Sequence, residues 1–148
     1  MRDYSWYYIF VITKMKEGCG MDLNQAIKVQ QRQLKKVDQA MLKRSQEGRL
    51  TDYYLVQWYY QHSLNQVFQG LLKHQVVKLP NSYQAFKKSQ GKLAEFQWFT
   101  KLAPYSKLMQ QASTYKSLQD SVKQVLDRAF VAVKWTAAND GWIVELAH

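Results

Sequence analysis

Few residues in this chain have the types and spacing that catalytic chemistry requires. The three histidines, His62, His74 and His148, and the lone cysteine, Cys19, stand at separations unlike those of zinc ligands. Paired carboxylates are as scarce. Asp120 and Asp127 lie seven apart on the polar side of one predicted helix, where Lys116 and Lys123 balance them. Two-metal hydrolysis needs several converging carboxylates instead. No glycine-rich loop follows a predicted strand to cradle phosphate, and no Gly-x-Ser-x-Gly turn marks a nucleophile. The expectation is a non-enzymatic chain with no catalytic residue, no metal and no cofactor.

Positive charge, by contrast, is abundant. Lys and Arg number 21 against 11 acidic residues in 148, a net charge of +10. Such an imbalance suits a polyanion, nucleic acid being the commonest and an acidic membrane surface another. The cations cluster: Lys28, Arg32, Lys35, Lys36, Lys43 and Arg44 share one predicted helix, and Lys87, Lys88 and Lys92 form a second group. These nine are the expected contacts to RNA or DNA, weighed against the plainer reading of a solvated helix face. The alternative is a helical protein-interaction or assembly subunit, in which Trp58, Tyr59, Tyr60, Trp98 and Trp142 form an aromatic interface with a partner or a second copy. Aromatics of the second helix, Tyr53, Tyr54, Tyr60 and His62, can stack on unpaired bases, although such clusters more often fill a core.

The elements that would position these residues are mostly helices. Six Gly and two Pro leave little punctuation. Residues 4–13 are aromatic and β-branched and predict a strand, followed by a loop to Gly20. Asp22 caps a first helix whose Leu23, Ile27, Gln30, Leu34, Val37 and Met41 repeat at three and four, ending near Gln46 with Gly48 beyond its C-terminus. Thr51-Asp52 opens a second helix with Leu55, Trp58, Tyr59, Leu64, Val67, Phe68, Leu71 and Leu72 on its apolar side, ending before Leu79-Pro80. Asn81 or Ser82 caps a third, with Tyr83, Phe86, Leu93, Phe96 and Phe99 inward and a break at Gly91. Pro104 ends it, and residues 106–112 form a short helical turn.

The clearest helix spans 114–133, capped by Thr114, with Leu118, Val122, Val125, Leu126, Ala129, Phe130 and Val133 on one stripe. That stripe is expected to seat against the helices at 22–46 and 52–72. Asn139-Asp140-Gly141 then signals a turn, and residues 142–146 a short strand that pairs with the N-terminal one. The fold class expected is mainly α: a bundle of about four long helices in a single domain over 1–148, with short terminal strands. Its parts are strand and loop over 1–20, bundle over 21–135, turn and strand over 136–148. One cysteine fits a reducing cytoplasm. No apolar run reaches the ~18 residues of a membrane helix, and no secretory leader is expected.

Two stretches resemble a known family. Lys78-Leu79-Pro80-Asn81-Ser82-Tyr83-Gln84-Ala85-Phe86-Lys87-Lys88, with Glu95-Phe96-Gln97-Trp98-Phe99, is similar to part of the helical N-terminal region of OrfB/TnpB-type transposon proteins. The segment from Ser117 to Phe130, with its Leu118-Gln119 and Leu126-Asp127-Arg128-Ala129-Phe130, resembles another helix of that region. The likeness covers residues 78–133, with 100–113 as an insertion, and does not extend to the first 50 residues. It implies a helical module that helps hold guide RNA and target DNA. In that family a downstream RuvC-like domain cuts and a Cys-rich zinc element follows. Neither is visible in this chain, so the resemblance implies a module without its nuclease.

Overall fold

The computed structural model describes residues 23–89 and 91–147. The chain is mainly helical, with one small antiparallel sheet. Two long helices come first: α1, Leu23–Gln46, and α2, Asp52–Leu72. Strand β1, Val77–Pro80, precedes a run of short pieces: α3, Tyr83–Lys88; a 3-10 turn, Gly91–Glu95; α4, Gln97–Leu102; a second 3-10 turn, Ala103–Tyr105; and α5, Lys107–Gln110. The third long helix, α6, covers Ala112–Arg128 and leads into the hairpin of β2, Val133–Ala138, and β3, Gly141–Leu146.

Several sequence signals act as expected. Ala26, Ile27, Gln30, Leu34, Val37 and Met41 of α1 are buried, on the predicted stripe. Gly48 has φ 69°, the left-handed value of a helix C′ position, and Arg49 N–H reaches back to the Arg44 carbonyl. Thr51 caps α2 by accepting from Tyr54 N–H, and Ser82 caps α3 by accepting from Ala85 N–H at 3.2 Å. Strand 142–146 forms as part of β3. The predicted strand at 4–13, the loop after it and the Asp22 cap lie outside the described residues.

Other expectations need correction. Helix α2 stops at Leu72, well short of Leu79-Pro80. His74 takes φ 56° and Gln75 N–H closes on the Gly70 carbonyl, which turns the chain into β1. The third helix is not one element broken at Gly91 but five short pieces, α3 to α5 with two 3-10 turns. Helix α6 begins at Ala112, and Thr114 is no cap: its hydroxyl donates to the Leu108 carbonyl. It ends at Arg128. Ala129 is only half-buried, and Phe130, expected in the core, has φ 58° and is 95 % exposed. Val133 starts a strand. The sheet order is β1-β3-β2, with Leu79 opposite Trp142 and Trp135 opposite Val144, so the hairpin pairs with a strand from mid-chain.

Helix α2 is the central column. Every residue from Leu55 to Leu64 is buried, polar ones included, as befits a helix covered on all sides. Helix α1 lies against it, and α5, α6, β1 and β3 pack around its other sides. Helix α6 therefore seats on α2, α5 and β1 rather than on α1. Two glycines permit close approaches. A Cβ on Gly70 would stand 2.2 Å from Val77 Cγ2, and one on Gly141 would stand 2.1 Å from the Leu79 carbonyl oxygen. Gly141 lacks a positive φ, so proximity to β1, not turn geometry, requires glycine there.

Candidate nucleic-acid interface

Helix α1 turns its core stripe toward α2, so residues displaced by about half a turn must face away. At ~100° per residue, Lys28, Arg32, Lys35, Lys36 and Lys43 fall within one arc opposite Val37 and Met41. All five are exposed. With a rise of ~1.5 Å per residue, they span about 22 Å along the helix. Among the described residues none of the five forms an ion pair. Lys28, Arg32 and Lys35, with Gln31 and Asn65, line a cleft of about 640 Å³ between α1 and α2. Three cations and two amides around one opening suit an anion with several acceptor oxygens.

The remaining predicted contacts diverge. Arg44 points off the stripe and lays its guanidinium 4.0 Å from the centre of the Tyr54 ring, a cation–π contact that ties α1 to α2. Lys87 stands 5.3 Å over Tyr83 on α3, and Lys88 lies near enough to Asp140 to favour its charged form. The side chain of Lys92 lies outside the described ones. Helix α3 packs on β1 while α1 packs on α2, so the structure carries the two basic groups on different parts of the framework. The Asp140 carboxyl is held below the usual carboxylate range, chiefly by its hydrogen bond with Lys78, with which it pairs at 2.5 Å.

The aromatic interface is the clearest correction at this level. Trp58, Tyr59 and Tyr60 are 0 to 2 % exposed and cannot meet a partner. Trp58 sits among Phe96, Trp98, Phe99 and His62, with centroids 4.2 to 5.0 Å apart. Tyr59 packs edge-on to Phe86 and Tyr115, and burial pushes its hydroxyl pKa up. Tyr60 donates to the Thr114 carbonyl at 2.6 Å, fixing α6 to α2. Buried tyrosines need such partners for their hydroxyls. Of the five, Trp98 and Trp142 are half-buried, each packed against the core.

Asp38 escaped the sequence reading, which took it as a counter-charge on the basic face. Its Oδ1 accepts from the Trp58 indole N–H at 2.6 Å and lies 2.6 Å from His62 Nε2. An ionised Asp38 places the imidazole proton on Nε2. One signal was available: an acidic residue beside core positions on a basic helix, and a buried tryptophan on the next helix whose N–H needs an acceptor. The dyad anchors α1 to α2. No nucleophile hydrogen-bonds to His62 among the described residues, and no group of three or more His, Cys, Asp or Glu there could hold a metal. No described helix is long and apolar enough to cross a membrane.

Comparison with family models, with curated proteins and with solved structures found no match to this chain.

Proposed function

We propose that this chain is a nucleic-acid-binding helical module that contacts the phosphate backbone through the outer face of α1. The observation that supports this reading most directly is the run of Lys28, Arg32, Lys35, Lys36 and Lys43, exposed and without ion pairs among the described residues, with three of them framing a cleft. Side chains of that kind neutralise phosphates and release counterions, with little reading of base sequence. The net charge of +10 adds long-range attraction. The likeness of residues 78–133 to the helical region of OrfB/TnpB-type proteins points the same way, to a transposon-related module lacking its nuclease domain.

Fluorescence anisotropy with RNA, single-stranded DNA and duplex DNA at 50 and 200 mM salt tests the reading. Binding is expected to weaken steeply with salt. Replacing Lys28, Arg32 or Lys35 by alanine should lower the slope of log K against log salt by about one each. Absence of salt-sensitive binding to all three polymers would remove the proposal.

A further inference from the structure

We infer that β2 and the groove beside it form a docking site for an extended, acidic-apolar segment of a protein partner, added as a fourth strand to the sheet. The two edges of the sheet differ. Strand β1 is four residues long and ends in Pro80, which cannot donate a ladder hydrogen bond. Strand β2 is six residues long, has no proline and pairs only with β3 among the described strands. An open edge of this kind is a template for another strand.

The register shows which backbone groups are on offer. Ala147 N–H donates to the Ala132 carbonyl, one step beyond the Val133–Leu146 pair. Hydrogen-bonded and non-bonded pairs alternate in an antiparallel ladder. Lys134, Thr136 and Ala138 therefore turn their amides toward β3, and Val133, Trp135 and Ala137 turn theirs toward the open edge.

The flanks of that edge define the occupant. On the inner side a groove of about 470 Å³ runs between α6 and β2, floored by Leu126, Val131, Val133 and Trp135. Lys123 closes it with its ammonium 5.6 Å over the Trp135 ring, and Asp127 is the one carboxylate on its wall. On the outer side of β2 stands Lys134, across from Glu145. An added strand would meet apolar surface with every second side chain and a cation with the others.

Phe130 supports the same site. It lies between the two stretches that line the groove, 123–127 and 131–135, is 95 % exposed and has φ 58°. A bulky side chain in the left-handed region is strained, and one so exposed recovers nothing by packing. An aromatic held there at a cost to the fold is explained if it covers a bound segment.

The test uses a fluorescein-labelled peptide as long as β2 that alternates valine and glutamate, with a valine–lysine peptide as control, read by anisotropy against the full chain. The valine–glutamate peptide should bind and the control should not. Ala137→Pro removes an edge N–H without touching the β2–β3 ladder, and should weaken binding at least about tenfold while leaving the circular dichroism spectrum unchanged. Phe130→Gly should also weaken binding, yet hold or raise Tm, because glycine suits that backbone. A purely structural Phe130 would show the reverse. No binding of the valine–glutamate peptide, equal binding of the control, or binding that survives Ala137→Pro overturns the inference. So does light scattering that shows a dimer lost in Ala137→Pro, which would assign the edge to a second copy.

Discussion

Asp38 joins electrostatics, packing and charge patterning in one side chain. A single oxygen serves the Trp58 indole and faces the His62 imidazole. Both partners are buried, so losing the carboxylate strands polar atoms away from water. Each stranded group costs about 1–3 kcal/mol. Asp38→Ala is therefore expected to lower stability by about 2–4 kcal/mol, taking the two groups together with some relaxation. In a chain of this size that is a fall in Tm of several degrees, ~2–4 °C per kcal/mol. A Tm unchanged by the substitution would show that Trp58 and His62 find other partners. The same residue shows what charge counting misses. On paper Asp38 offsets neighbouring lysines; in the fold it is turned to α2, and the lysines of the outer face are left without it.

At the scale of elements, Gly141 and the β1–β3 seam carry the clearest consequence. Gly141→Ala would place a methyl against the Leu79 carbonyl, a backbone atom that cannot rotate away. Forcing atoms into a packed site costs ~1–3 kcal/mol or more. The urea midpoint should fall accordingly, whereas Gly48→Ala, with open space around its Cβ position, should cost only the strain of its positive φ. Equal midpoints for Gly141→Ala and the parent chain would contradict the seam described here. Where local signals and packing agree, the chain was legible from sequence: the apolar stripe of α1, the caps at Thr51 and Ser82, and the glycine at 48. The errors have physical causes. Ala129, Phe130 and Val133 continue the helical spacing of α6, and spacing cannot register a single residue that rotates into the left-handed region. Val77–Pro80 is too short to alternate visibly, and its pairing depends on β3, over 60 positions away. The aromatic run of α2 reads as an interface or a core equally well until its neighbours are placed. Of the basic residues, sequence identified the right helix; only the fold separates Arg44, engaged by Tyr54, from the stripe.

Across the whole molecule the joint between α1 and α2 is unlike the rest of the interior. The seats of α6 and the sheet on α2 are built of Leu, Val and aromatic rings. The α1 joint is partly polar. Gln30 and Gln61 are both buried there. Gln30 Nε2 donates to the Gln61 carbonyl, while Gln30 Oε1 and Gln61 Nε2 have no hydrogen-bond partner. Asp38 adds a charge at the same joint. Wetting that surface releases two stranded amide atoms, so separating α1 from α2 costs less than separating α6 from it. Proteins open in cooperative pieces of unequal stability. The amides of α1 should accordingly exchange with deuterium by a partial opening, well before those of α2 and α6, which should exchange only on global unfolding. Uniform protection of all three helices would mean that the joint is no weaker than the core. Differential protection would make the helix that carries the basic stripe the part of the chain that leaves first, a limb able to reorient while the column behind it stays folded.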